Sequence, residues 1–260
     1  THEYLLLFGR NEETPLFELP KDDEALPYQD AQGKFDLWEL RNRNPKFGRH
    51  NRANLYFPIY VCPEQTDSNG YSKISLEQTK KFRTQVFPRN SEGKDGCWRW
   101  SKGKILTEDT TSEFAVVVAR QKRDGEWNIY EKSRKSTTKP KSIWDETEVI
   151  SEQGTVELGE LGLGDVFDHP KPRGLITKIL RIATEANDIV FDFFAGSATT
   201  ADALLRLNWE EKTDRRFVLV QLPEPVDQES QAAKLKFKTI ADVSRERIRR
   251  AIEKIKTDAD

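Results

Sequence analysis

Read from the N-terminus, the apolar positions of this chain come first as short runs and alternations, and later at helical spacing. Glu3–Phe8 is a short apolar run ending at Gly9, the pattern of a buried strand. Lys34–Leu40 follows the turn signal Asp30-Ala31-Gln32-Gly33 and reads as another strand. Arg41–Val61 opens as a basic loop and ends in a strand with aromatic alternation, and Asp67–Ser72 carries Asn69-Gly70, a turn. Within Glu113–Lys132, two β-rich runs flank Asp124-Gly125, which predicts a hairpin. Ser133–Ser142 is a basic loop.

The pattern then changes. Ser151–Gly164 is glycine-rich and is expected to be loop. Leu175, Ile176, Ile179, Leu180 and Ile182 give Pro172–Thr184 a helical spacing. The strand Asp188–Phe194, a turn of small residues and the helix Thr199–Asn208 follow. Arg215–Pro225 is a strand stopped by prolines. Phe237–Lys256 is a charged helix with Ile240, Val243, Ile248 and Ile252 as its expected apolar stripe. Alternating helix and strand predict an α/β fold with a parallel sheet and crossover helices. Ligands of such sheets lie at the carboxyl ends of the strands, where the turn after Asp192 falls.

Composition narrows the class. Hydrophobic residues make up 36% and charged residues 33% of the 260, a polar balance, although six Trp, fourteen Phe and six Tyr supply core material. No apolar run reaches membrane-spanning length, and Leu5–Phe8 is too short, with no basic region before it, for a secretory signal. Cys62 and Cys97 imply no disulfide framework, and His2, His50 and His169 are too scattered to suggest zinc. A cytoplasmic protein without a metal is expected. Met is absent even at position 1, which leads us to expect a fragment or a processed chain. Net charge is −2, but residues 41–150 hold 22 Lys and Arg against 14 Asp and Glu, while the remainder holds 20 against 30. A middle region that meets an anion accounts for this split, and so does a mixed solvated surface.

The turn after Asp192 packs Ala195, Gly196, Ser197, Ala198, Thr199 and Thr200 together, so that a ligand can approach the backbone closely. A nucleoside triphosphate site needs a lysine, and Asp192–Leu205 holds none. A dinucleotide site needs three glycines, and only Gly196 is present. A ligand with a carboxylate, an ammonium and a nucleoside, such as S-adenosylmethionine, fits: N–H groups at the helix start meet the carboxylate, and Asp192 accepts from the ammonium. A plain strand–turn–helix with Ser/Thr capping fits the same residues.

"VFDFFAGSATTADALL" resembles the D-x-F-A-G-S-G-T-T motif of amino-group DNA methyltransferases of the beta arrangement, in particular the Mod subunits of type III restriction–modification systems. "HEYLLLFGRN", "NRANLYFPIYV", "CWRWSKGKI", "KPKSIWDE", "FDHPKPRGLITKIL", "RRFVLVQLPEP" and "FKTIADVSRERIRRA" resemble that group in the same order, over nearly the whole chain. The resemblance implies a partial Rossmann-like methyltransferase sheet with an inserted, mixed, β-rich target-recognition region. Residues 1–40 would be distal strands of the methyltransferase domain, 41–150 the DNA-reading region and 151–260 the cofactor-binding part. The implied cofactor is S-adenosyl-L-methionine (AdoMet). Asp192, Phe193, Phe194, Ala195, Gly196, Ser197, Thr199 and Thr200 match its loop, and "FDHPKP" matches the lysine-proline motif, with Lys171 lining the methionine end and Asp168 and His169 near it. Gln221 stands where relatives usually place a carboxylate for the ribose hydroxyls. Ala198 replaces the more common Gly, and a helical φ is expected there, since Ala is the better residue in that case.

The implied reaction is methylation of adenine N6 in double-stranded DNA, with the target base flipped out of the duplex. The family's Asp/Asn-Pro-Pro-Tyr-type motif is absent, and the chain holds no Pro-Pro pair. The catalytic groups are therefore expected upstream, in another part of the same enzyme, and this chain alone is expected to be inactive. The resemblance further implies a homodimer and a restriction-subunit partner. An N4-cytosine enzyme and a non-catalytic DNA-binding module with a vestigial loop, marked by Ala198 and Gln221, remain as alternatives.

For DNA contact, the basic clusters of the middle region offer Arg49, Arg52, Lys80, Lys81, Arg83, Arg99, Lys102 and Lys135, suited to phosphates. On a strand, Trp98 and Trp100 share one face and Arg99 takes the other, so the tryptophans are expected in the core.

Overall fold

The computed structural model describes residues 3–90, 92–112 and 115–258. Its strands, in chain order, are β1 (Leu19–Pro20), β2 (Tyr28–Asp30), β3 (Gly33–Glu39), β4 (Ile59–Thr66), β5 (Tyr71–Ser75), β6 (Thr84–Val86), β7 (Val117–Gln121), β8 (Trp127–Ser133), β9 (Thr137–Thr138), β10 (Ile189–Asp192) and β11 (Arg216–Leu219). The helices are α1 (Lys102–Leu106), α2 (Glu152–Glu160), α3 (Arg173–Ala183), α4 (Thr199–Glu211), α5 (Gln231–Lys234) and α6 (Ile240–Thr257). The chain divides into two compact units, Lys21–Ser136 and the combination of Thr1–Pro20 with Thr137–Asp260.

The Lys21–Ser136 unit is a seven-stranded antiparallel sheet in the order β2-β3-β8-β7-β5-β4-β6. The expected hairpin forms as β7 and β8, turning at Gly125 with φ +87°; Glu113 and Phe114, at its start, lie outside the described residues. The boundary expected at residue 41 falls instead at Lys21, because β3 hydrogen-bonds to β8 and so belongs to this sheet. Likewise the unit ends at Ser136, not at 150. With these bounds it holds 22 Lys and Arg against 17 Asp and Glu, so part of its positive excess is offset inside the unit. Trp98 and Trp100 are buried in a core with Leu40, Ile59, Ile74 and Val117, as expected, and the Trp98 indole donates to the Phe57 carbonyl at 2.8 Å.

The other unit carries the α/β part. β10 and β11 pair in parallel as a two-stranded sheet, with β1 and β9 as a short antiparallel pair. The register sets Val190 beside Phe217 and Phe191 beside Val218. Val190 and Phe217 pack on Leu180, Leu204 and Leu207 of α3 and α4. Period-2 alternation turns Ile189, Phe191 and Val218 the other way, where they stand exposed.

Two expectations fail here. Ser151–Gly164 is not loop, for α2 runs through Glu152–Glu160. Gly154 permits this, since a Cβ there would lie 1.9 Å from the Pro170 carbonyl oxygen, so the glycine serves close approach between segments and not chain flexibility. Glu3–Phe8 is not a buried strand: it carries no strand pairing, and Tyr4, Leu6 and Phe8 are 87%, 73% and 89% exposed. An apolar run becomes a strand only where a sheet edge accepts its backbone, and neither two-stranded sheet of this unit pairs with it.

One ion cluster pins β2 and β8. Lys132 is buried against the rings of Phe35 and Tyr71 and donates to Asp30 at 3.0 Å, and Arg134 adds a bond to the same carboxylate at 2.7 Å. Burial raises the Asp30 carboxyl, but the bonds from Arg134 and Lys132 outweigh this and hold it at about 2. A carboxyl lowered on folding contributes stability above its unfolded value and loses it as pH falls through the folded one. The urea midpoint, followed by tryptophan fluorescence, is therefore expected to drop between about pH 4 and pH 2. Asp30→Ala, which strands a buried ammonium, is expected to cost about 3–5 kcal/mol at pH 7 and to flatten that dependence. A pH profile unchanged by the substitution refutes this account.

Candidate functional site

The strand–turn–helix around β10 is the most organised polar site of the α/β unit. The Asp192 carboxylate accepts from the Phe194 amide at 3.0 Å and from the Thr200 hydroxyl at 2.7 Å, tying the strand end to the first turn of α4. Both oxygens keep lone pairs for a further donor. The Ala195 amide donates to the Val220 carbonyl at 3.0 Å, and the Gly196 amide to Gln221 Oε1 at 2.8 Å, so the end of β11 clasps the turn. Gly196 has φ +51°, which favours glycine, and a Cβ there would meet the Phe167 ring at 3.2 Å, so the ring would have to give by a few tenths of an ångström. Phe193 and Phe194, between β10 and the turn, are exposed.

The turn is held from behind by α6. Ser244 donates to the Gly196 carbonyl at 2.5 Å. Arg247, fully buried, donates through Nη1 to Ser197 at 3.0 Å and Thr199 at 2.8 Å, and through Nε and Nη2 to Asp202 at 3.2 and 3.0 Å. Burial draws the Arg247 guanidinium down, while the Asp202 charge and hydrogen bonds draw it back up. Arg206 takes the other Asp202 oxygen at 2.9 Å. Glu157 of α2 lies 4.0 Å from Arg247 and accepts the Arg173 amide at 2.6 Å; burial pushes its carboxyl up, against the pull of those neighbours. Sequence reading missed Arg247. The expected stripe gave Ile248 and Ile252, yet the residues that α6 buries are Ala241, Val243, Ser244, Arg247 and Ala251, and Ile252 is exposed. The four-residue spacing of Val243, Arg247 and Ala251 was the available signal.

Of the remaining site candidates, Lys171 joins the turn through its backbone, whose carbonyl accepts from Thr199 at 3.1 Å. Its ammonium is exposed and pairs with Glu3 at 2.8 Å. Asp168 and His169 are exposed on the loop before it, His169 at φ +52°, and no hydrogen bond joins their side chains to the turn. Gln221 is engaged through its carbonyl oxygen, and its amide nitrogen makes only a 3.3 Å contact to the Leu222 carbonyl. Ala198 corrects an expectation: it is not helical but left-handed, at φ +62° and ψ +36° as the residue capping α4. It is fully buried, and its amide closes a 2.6 Å bond to the Ala195 carbonyl, which fixes the tight turn that the left-handed pair of Gly196 and Ala198 produces.

The Lys21–Ser136 unit sorts the proposed DNA-contacting cations. Arg99 is half-buried and bonded to Glu131 at 2.7 Å and to the Glu39 carbonyl at 2.9 Å, which suits it to holding the sheet. Arg83 pairs with Glu64. Lys80, Lys81 and Lys135 are exposed. Lys102 lies over Phe57 at 5.3 Å, Arg52 over Phe47 at 5.2 Å, and Arg49 over Tyr56 at 4.7 Å. No group of three or more His, Cys, Asp or Glu fit to hold a metal occurs among the described residues, nor does any helix there suffice to cross a membrane.

Two substitutions test this architecture. Ala198→Gly is expected to stabilise the chain by about 1 kcal/mol, since it relieves a left-handed alanine; a fall in the urea midpoint contradicts the left-handed assignment. Arg247→Met leaves Asp202 and Glu157 buried without their main cation and is expected to destabilise by about 3–5 kcal/mol. Arg247→Lys, whose ammonium cannot bridge both partners, is expected to recover only part of that loss.

Three curated relatives extend over nearly all of the chain. It is 28% identical over its full length to the type III restriction-modification enzyme EcoPI Mod subunit of Escherichia phage P1, covering 40% of that protein. It is 37% identical over 97% of its length to the EcoP15I Mod subunit of Escherichia coli, again covering 40%. To the type II methyltransferase M.KpnI of Klebsiella pneumoniae it is 27% identical over 95% of its length, covering 56%. The chain thus spans about two fifths of the length of the type III relatives. The profile of one family matches residues 1–224, a span that includes the clasped turn and the lysine-proline segment, and by that match the chain belongs to the DNA methylase family.

Proposed function

We infer that this chain supplies the cofactor-binding and DNA-reading parts of an AdoMet-dependent DNA methyltransferase of the type III restriction–modification kind. The observation that carries this reading is the clasped turn, with Asp192 at the end of a parallel strand, a left-handed Gly196 and the α4 N-terminus after it. These residues fit the donor. Free lone pairs on Asp192 meet an ammonium, N–H groups at the start of α4 meet a carboxylate, and the second N–H of the Gln221 amide meets a ribose hydroxyl. Phe193 and Phe194 offer exposed rings beside this position. When bound, AdoMet supplies an electrophilic methyl group. The chain's own residues orient the donor, and the groups that hold the target amine are assigned to another part of the enzyme. The exposed face formed by Ile189, Phe191 and Val218 is the surface we assign to that part. Adenine N6 is the assigned amine, on the resemblance to type III Mod subunits, and nucleoside digestion of methylated product distinguishes it from cytosine N4.

A specific pair of observations favours a second reading, a DNA-binding module whose turn no longer takes a donor: Ala198 sits in a strained conformation, and Gly196 already occupies Gln221 Oε1. Calorimetry separates the two. AdoMet and its demethylated product are expected to bind in the micromolar range without methyl transfer to DNA by this chain alone. Asp192→Asn is expected to weaken binding about tenfold, the worth of one charge-assisted hydrogen bond. No heat from either ligand, with DNA binding intact, establishes the second reading instead.

A further inference from the structure

One surface of the Lys21–Ser136 unit is built more rigidly than phosphate contact requires. The rings of Tyr56 and Phe87 stack at 5.1 Å and 21°. The Arg49 guanidinium lies over Tyr56 at 4.7 Å, and that of Arg89 over Phe87 at 5.9 Å. One carboxylate ties the group together: Asp95 accepts from Tyr56 at 2.7 Å and from Arg49 at 3.1 Å, and lies 3.7 Å from Arg89. Bonds from Tyr56 and Arg49 keep Asp95 below its usual range, hence ionised. The backbone fixes the frame. Arg89 and Asp95 form a β-bridge, Gly96 donates to the Pro88 carbonyl at 2.8 Å, and a Cβ on Gly48 would fall 2.9 Å from the Asp95 carbonyl oxygen. Both arginine side chains remain 61% exposed.

Exposed ion pairs contribute little to stability, so two pairs on one acid are weakly explained as structural glue. A phosphate needs only a mobile charge, whereas a base edge needs a planar fork held in register. Each guanidinium has five donors; Asp95 accepts one from Arg49 and lies beyond hydrogen-bond distance of Arg89 at 3.7 Å, so most donors of both exposed side chains stay open to a ligand. Arg99, by contrast, commits its donors to Glu131 and the Glu39 carbonyl.

We propose that Arg49 and Arg89, stacked on Tyr56 and Phe87 and aligned by Asp95, are the specificity-determining pair that reads guanine in the major groove of DNA. The proposal rests on the reading of Lys21–Ser136 as the DNA-reading unit and names the residues that do the reading. It adds Arg89, Asp95 and the two rings to the cations singled out from sequence.

The test selects bound duplexes from a randomised DNA pool with the 260-residue chain, then measures affinity for the selected site and its single-base variants at several salt concentrations. For the intact chain, replacing a selected guanine is expected to cost roughly 5- to 150-fold, the worth of a bidentate pair. Arg49→Lys and Arg89→Lys keep the charge, and each is expected to erase the preference at its own guanine while leaving the salt slope unchanged. Asp95→Asn is expected to weaken both preferences. Lys80→Ala serves as the contrast, with all sequences weakened alike and the salt slope lowered by about one. Thermal midpoints close to that of the intact chain show that the exposed substitutions leave the fold in place. Preferences that survive both lysine substitutions, or affinities that fall equally for all sequences, overturn the proposal. Binding without any base preference overturns it alone, and no DNA binding at all overturns the DNA-reading assignment beneath it.

Discussion

The buried contact between Arg247 and Asp202 is the constraint on which the candidate cofactor site depends. A guanidinium fully removed from water is tolerated only when its donors are met, and here they reach Asp202, Ser197 and Thr199. Two of those acceptors belong to the turn itself. The turn contains two left-handed residues, one of them an alanine, and does not adopt this shape on local preference alone. Support from α6 on the inner side leaves the outer side to small side chains and amide groups. The same network thus stabilises the helix packing and clears the surface a ligand would approach.

Regular structure was legible in the sequence where the pattern was local. The hairpin at Asp124-Gly125, the β10–turn–α4 segment and the existence of the long α6 could all be read from spacing, although the apolar spacing of α6 did not give the face it buries. What could not be read were properties set by another segment. Gly154 resembled a loop former until the Pro170 carbonyl was found against it. Arg247 went unremarked, since its partners are 45 to 50 residues away in sequence. Asp192, Gly196 and Gln221 were identified from motif and position, but the Gly196–Gln221 bond that joins them crosses between strand ends and leaves no trace in spacing. Ala198 was misread because helical preference was weighed where turn geometry decides.

The parallel pair β10–β11 shows how incomplete burial shapes the unit. Parallel strands are ordinarily covered on both faces, and two strands alone bury too little to persist. Here one face rests on α3 and α4, while Ile189, Phe191 and Val218 remain exposed on the other. The apolar segment Tyr4–Phe8 is exposed as well, despite the composition of a core strand. A face of this kind has a cost in water of roughly 25 cal/mol for every Å² left uncovered. The order of the turn therefore comes from the sheet only through the bonds at the ends of β10 and β11. The packing that backs it comes from the α6 side, where Val243 and Ala251 join Leu158, Leu163 and Val226 in a separate core.

The two units also divide the chemistry by how they are stabilised. Lys21–Ser136 owns its hydrophobic clusters and its buried Asp30–Lys132 pair, built from its own residues. Its exposed loops, around Arg49 and between Arg89 and Asp95, hang on backbone bonds and ring stacking at the edge of that sheet. Substitutions there change which donors face outward without opening either core. Substitutions at Arg247 or Gly196 are expected to act oppositely, because Arg247 is fully buried and Gly196 holds a left-handed φ. The exposed loops of one unit and the buried turn support of the other thus differ in tolerance, and the difference follows from which charges are buried.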